Sequence, residues 1–221
     1  MRVKCKAQAA GSGETGDIDM LLELERELWS QGYSAIAGVD EVGRGCLFGD
    51  VVAGAVILPP GLVIEGVNDS KKLSEKKRNE LYDIISREAI AWSVAHVDAA
   101  TVDEINIKQA ARLAMRMAVE GLNVRADYLL VDAERVDSPL PQQAIVKGDA
   151  TSQSIAAASI MAKVTRDRLC LGEWEARYPD YGIAIHKGYA TKLHRDRLLE
   201  YGASPLHRRT FLKKLLGEVE V

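Results

Sequence analysis

The sequence predicts an α/β domain built on a mixed sheet, and three observations carry that prediction. Apolar runs of strand length alternate with amphipathic runs of helix length over most of the chain. Two early runs, AIAGV and VVAGAVIL, are apolar nearly throughout, as strands covered on both faces are. The chain has 221 residues, 47% of them hydrophobic, enough to bury roughly 70% of the unfolded surface in one domain. General disorder is excluded.

Taken in order, residues 1–16 end in GSGETG, lack periodicity and read as a flexible extension. Asp17 or Asp19 caps a helix over about 18–31, with Leu21, Leu24 and Leu28 on one face, read as a docking helix. From Ser34, two strands joined by a glycine-rich turn end at Pro59-Pro60. Residues 70–88 form an amphipathic helix with Leu73, Leu81 and Ile84 or Ile85 inward. AWSVAHV is a third strand, and a helix over 101–121 opens with Thr101 and Glu104 at capping-box spacing. ADYLLVDA and QQAIVKGD are the fourth and fifth strands, followed by one long helix from about Thr151 to Arg177. From Ile183 the chain is basic, strand-poor and helical. The expected divisions are an extension over 1–16, a catalytic domain with its leading helix over 17–180, and a basic helical region over 181–221.

Cys5, Cys46 and Cys170 are odd in number and far apart, which argues against a disulfide framework or a structural zinc site. No apolar run approaches the length of a membrane span. These features predict a soluble cytoplasmic protein, taken as a monomer. The net charge of −3 by itself argues against a bulk-basic nucleic-acid binder.

The most informative residues are acids in apolar context. Asp40 and Glu41 follow IAGV, Asp132 ends YLLVD, and Asp149 closes IVKGD before a helix. A lone buried carboxylate is costly unless a cation or metal accompanies it. Three strand ends each bearing acids suggest one negative pocket. Oxygen-only ligands with no His or Cys nearby point to Mg²⁺ or Mn²⁺. Shared carboxylates holding two such ions are a usual means of phosphodiester hydrolysis. Adjacent strand residues face opposite ways, so Asp40 and Glu41 can share a site only if the strand ends or bulges, which Gly43 permits.

Gly43-Arg44-Gly45 places backbone N–H donors beside that pocket, suited to a hydroxyl or phosphate. Charge is unevenly spread. Within 186–214, Lys187, Lys192, Arg195, Arg197, Arg208, Arg209, Lys213 and Lys214 oppose only Asp196 and Glu200, leaving +6; residues 71–78 carry +4. Two basic patches around an acidic pocket read as phosphate tracks. Tyr189, an aromatic among basic residues, is placed to stack on a sugar or base or to pack in the core.

The ordered segments GVDEVGRG, NDSKKLS, LLVDA, KGDATSQSIAAASIMAKVTRDR, HKGYATKLH and YGASPLHRRTF, spanning about 34–212, resemble the signature blocks of bacterial type 2 ribonuclease H (ribonuclease HII). The resemblance implies a ribonuclease H-like fold, a five-stranded mixed sheet flanked by helices with a small helical C-terminal extension. It implies an endonuclease acting on the RNA strand of RNA–DNA hybrids and on single ribonucleotides in duplex DNA. Cleavage on the 5′ side of the ribonucleotide would leave a 3′-hydroxyl and a 5′-phosphate. By block matching, Asp40, Glu41, Asp132 and Asp149 are the metal-binding carboxylates. Gly43, Arg44 and Gly45 read the 2′-hydroxyl, Tyr189 stacks on the following sugar, and Lys71 contacts a phosphate. The chain departs from the family at Cys46-Leu47-Phe48-Gly49-Asp50, where a proline-containing stretch of small residues is usual. That departure bears on loop rigidity and substrate range. A resolvase-like nuclease and a non-catalytic hybrid-binding module are the competing expectations.

Overall fold

The computed structural model describes residues 21–68 and 70–216. The extension over 1–16 and the cap assigned to Asp17 or Asp19 lie outside the described residues. Helix α1 (Glu23–Ser30) leads into β1 (Ile36–Val42) and β2 (Val51–Ile57). Then come α2 (Glu75–Glu88), β3 (Ala91–Val97), α3 (Ala99–Glu120), β4 (Tyr128–Asp132) and β5 (Gln142–Ile145). The chain closes with α4 (Gln153–Leu171), α5 (Glu173–Arg177), α6 (Ile183–His186), α7 (Lys192–Tyr201) and α8 (Arg209–Leu216).

The five strands form one mixed sheet in the order β3-β2-β1-β4-β5. β1, β2 and β3 are antiparallel neighbours, whereas β4 runs parallel to both β1 and β5. β2 is buried along its whole length and β1 as far as Asp40, so the unbroken apolar runs correspond to strands covered on both faces. One face packs Ala37, Val39, Ala53 and Ala55 against Ala110, Ala111, Ala114 and Met115 of α3. On the other, Val56 and Leu58 meet Ala156, Ala157, Ala158, Ile160 and Met161 of α4, with Leu81 and Ile85 of α2 outside them.

The approach of α4 to the sheet depends on Gly38 and Gly54. A Cβ on Gly38 would lie 2.0 Å from the Ser154 carbonyl carbon, and one on Gly54 2.5 Å from the Ala158 carbonyl oxygen. The alanine-rich start of α4 is the other half of this fit.

Several boundaries differ from expectation. The long helix breaks at Gly172, giving α4 and α5. α3 starts at Ala99, and its cap is Asp98, whose carboxylate accepts from the Thr101 N–H at 2.8 Å; Thr101 is not the capping residue. α2 starts at Glu75 with Ser74 as cap, so 70–73 is a turn. α1 docks as expected: Leu28 packs with Ile36, Leu130 and Ile155. Glu25 Oε1 accepts from Ser152 Oγ at 2.7 Å and Ser154 N at 3.0 Å, capping α4 from outside its own segment. No helix among the described residues is long and apolar enough to cross a membrane.

Candidate active site

The parallel pairing of β1 and β4 aligns Val39 with Val131. Each strand's next residue, Asp40 and Asp132, therefore sits at the same level of the sheet. Asp40 also pairs in register with Gly54, on the side of the sheet that α4 approaches so closely. It is 4% exposed, and its carboxylate accepts from the Glu41 N–H at 2.7 Å and from the Ser159 side chain.

Burial pushes the Asp40 carboxyl well above the usual range, and the charges of Glu41 and Asp132 push it further. Glu41 is raised too, first by burial, then by Asp132 and Glu134, with Arg44 opposing. Arg44 Nη1 lies 3.2 Å from Glu41 Oε1 and 3.6 Å from Glu134 Oε1. Glu41 Oε2 is buried with no hydrogen-bond partner. Adjacent strand residues do serve one region here, because β1 ends at Val42 and Gly43 turns the chain at φ +92°. A side chain at Gly43 would face that strain and also lie 2.5 Å from Arg166 Nε.

Asp132 Oδ1 accepts from the Gly148 N–H at 2.6 Å, which ties β4 to the 3₁₀ turn Gly148–Ala150 carrying the buried Asp149. The charges of Glu41 and Asp132 thus act on Asp40, Asp132 acts on Glu41 as well, and Asp149 is one residue from the contact that orients Asp132. Among the described residues, no three His, Cys, Asp or Glu side chains close into a finished ion cage. Buried, raised Asp40 and its raised neighbour Glu41, with an unpartnered buried oxygen on Glu41, still fit a hard cation of the Mg²⁺ class, which takes one or two carboxylates and leaves other positions to water and phosphate.

Around the acids, Gly45 is exposed with open space where a Cβ would project. Tyr189 is 40% exposed and interacts with Cys46, so its ring stands beside the loop that follows Gly45. Lys71 is exposed, and the residue before it is anchored: Ser70 Oγ lies 2.9 Å from Ser159 Oγ, the hydroxyl that also serves Asp40.

Two basic residues assigned to phosphate tracks turn inward instead. Arg208 is fully buried, with its guanidinium on backbone carbonyls of the 43–49 loop. Arg78 donates to the carbonyls of Ser70 and Leu73 and pairs with Asp167. Residue type and local charge count do not separate a buried arginine from an exposed one. The departure at 46–50 is absorbed into structure. Phe48 stacks edge-on to Trp174, Tyr178 and His207, and Asp50 accepts from His96 Nδ1 at 2.5 Å.

Sequence reasoning missed Ser159, Glu134, Arg166 and the buried trio His186, His194 and His207. Glu134, two residues beyond Asp132, was the most accessible of these. The cavity between α3 and residues 136–140 touches none of the site residues.

A family model described as Ribonuclease HII matches residues 37–214. The Ribonuclease HII of Alkaliphilus metalliredigens (strain QYMF) is 61% identical over 201 residues, covering 88% of this chain and 98% of that protein. The crystal structure of the ribonuclease H2 from Pyrococcus horikoshii OT3 superposes with a TM-score of 0.68 at 27% identity, covering 81% of this chain and 96% of that one. Bst-RNase HIII in complex with Mn²⁺, at 18% identity and a TM-score of 0.59, covers 77% of this chain and 63% of its own and shares the fold.

Proposed function

Because this chain belongs to the ribonuclease HII family, and is accordingly an endoribonuclease of the ribonuclease H class, we propose that Asp40, Glu41, Asp132 and Asp149 are its metal-binding catalytic carboxylates. The substrates are the RNA strand of RNA–DNA hybrids and single ribonucleotides in duplex DNA, incised on the 5′ side to leave a 3′-hydroxyl and a 5′-phosphate. The observation that carries this reading is the raising of Asp40 by burial and by the charges of Glu41 and Asp132, and of Glu41 by burial and by Asp132, at two adjacent strand ends. Such an arrangement is unfavourable without a cation.

The ions are Mn²⁺ or Mg²⁺; the all-oxygen donor set supports this class, as does the Mn²⁺ complex of the Bst enzyme. Bound there, such ions would supply Lewis acidity toward the phosphate and would acidify a water. The chain's own residues do the rest. Arg44 pairs with Glu41 at 3.2 Å, and the Gly148 N–H fixes the Asp132 carboxylate. Gly43, Arg44 and Gly45 offer N–H donors to the 2′-hydroxyl, the group that distinguishes RNA from DNA. Tyr189 offers a ring face to the next sugar, and Lys71 meets a phosphate. Buried free thiols at Cys46 and Cys170 suit a reducing cytoplasm.

The test is a duplex DNA carrying one ribonucleotide, incubated with Mg²⁺ or Mn²⁺ beside an all-DNA duplex and a four-way junction. Incision only at the 5′ side of the ribonucleotide is expected. Absence of incision under both metals contradicts the reading. Cleavage that ignores the ribonucleotide points to a resolvase-like enzyme, and salt-dependent binding without turnover to a hybrid-binding module.

A further inference from the structure

Arg166 of α4 and Arg208, just before α8, are both 0% exposed, and among the described residues neither forms an ion pair with a carboxylate. Most of their hydrogen-bond partners are carbonyl oxygens of one loop. Arg208 donates from Nη1 to Gly43 (2.7 Å), Arg44 (3.1 Å) and Cys46 (2.9 Å), and from Nε to Gly49 (2.9 Å). Its own N–H reaches the Leu47 carbonyl at 2.9 Å. Arg166 donates to Phe48 (2.9 Å) and Asp50 (3.1 Å), and to Lys187 (2.8 Å) on the segment leading to Tyr189. Across 43–50, every carbonyl except that of Gly45 accepts a hydrogen bond from one of these two residues.

In a trans peptide, the carbonyl of one residue and the N–H of the next point in opposite directions. With the carbonyls of Gly43 and Arg44 drawn inward, the N–H groups of Arg44 and Gly45 are driven outward. Neither finds an acceptor among the described residues. Two buried positive charges behind these peptides also reinforce the outward positive ends of their dipoles.

We infer that Arg166 and Arg208 are positioning residues for ribonucleotide recognition: a buried two-guanidinium floor that holds the 43–50 loop with its carbonyls inward and so aims the Arg44 and Gly45 N–H groups at the sugar hydroxyl of the substrate. The inference rests on the reading of residues 43–45 as the ribonucleotide-reading turn. It differs from a purely structural role, which would lower stability without altering the choice between RNA and DNA. It also accounts for the tolerance of Cys46 and Phe48, since the loop is shaped by carbonyl anchorage and not by proline.

The test is Arg208→Lys, which keeps the charge but replaces a planar fork that spans four carbonyls with a single ammonium. KM and kcat are measured on a one-ribonucleotide duplex, together with Ki for an all-DNA duplex as competitor. The expected result is a rise in KM of about tenfold or more, exceeding any change in kcat, with Ki within about twofold of wild type. An unchanged KM, or KM and Ki rising together, overturns the inference. Should the variant fail to fold, the wild type decides: the Arg208 Nε–H resonance is expected to shift with the one-ribonucleotide duplex and not with all-DNA, and no difference between the two overturns the floor. A wild type that does not incise the one-ribonucleotide duplex instead refutes the proposed function, so the two failures are distinguishable.

Discussion

Asp40 and Arg208 are both buried charges, and they were unequally legible. An acid directly after IAGV stands out because nothing in an apolar strand needs it, so the pocket could be located from the pattern alone. Arg208 sits in a basic stretch where charge is ordinary, and only tertiary structure reveals its seven-residue reach across the loop. The histidines behave similarly. His194 Nδ1 donates to the Tyr189 carbonyl at 2.9 Å, leaving Nε2 to accept from His207 Nε2 at 3.0 Å. His207 Nδ1 then accepts from the Ser204 N–H and hydroxyl. Both rings are held neutral, because an added proton would face another donor. Burial is the main cause of the lowered values, about 4 for His194 and about 3 for His207. An unfolded histidine titrates near 6.5, so the unfolded chain takes up protons that the folded chain refuses as pH falls below about 6.5. Stability is therefore full above that pH and declines below it, by up to about 1.4 kcal/mol per pH unit for each histidine. Urea midpoints between pH 7.5 and 5 check this; a flat profile over that window would refute the neutral pair.

At the level of elements, all five strands and the main helices were visible as apolar periodicity, because periodicity reports burial directly. Ends were less so. Asp98 out-competed Thr101 as the cap of α3, and Gly172 broke a helix whose pattern ran on. The contact that matters most between elements, α4 against β1, was not legible, since a glycine in a strand does not say what approaches it. Gly38→Ala would set a methyl between strand and helix backbones, 2.0 Å from the Ser154 carbonyl carbon and 2.4 Å from the Ile155 nitrogen. Neither backbone can yield without moving the acids that follow, so a loss of about 3 kcal/mol is expected, at the upper end for overpacking. Gly45→Ala, with open space around the new methyl, is the control and should leave stability unchanged. Equal urea midpoints for the two variants would contradict this packing.

For the whole molecule, a net charge of −3 conceals two opposed regions. The acids gather partly at the strand ends, whereas the basic residues of 186–214 form an outer surface once Arg208 is set aside as internal, leaving +5 of the original +6. Lys213 and Lys214 are exposed on α8. Replacing both with alanine should weaken hybrid binding and reduce the slope of log K against log salt by about 2, close to 0.9 per phosphate contact. An unchanged slope would make the pair a solvated face. The sequence could place this surface but not separate its inward and outward cations, because that division depends on how the C-terminal helices fold back over Phe48.

The central claim, that the acids at the ends of β1 and β4 carry out metal-dependent incision, is tested most directly by Asp40→Asn. The variant keeps the shape of the side chain while removing its charge. Incision of a one-ribonucleotide duplex in Mg²⁺ and in Mn²⁺, measured beside binding of the same duplex, should fall by about a thousandfold or more, in the range of a few kcal/mol of lost barrier reduction. Binding should stay within about threefold of wild type. Incision at the wild-type rate would contradict the account.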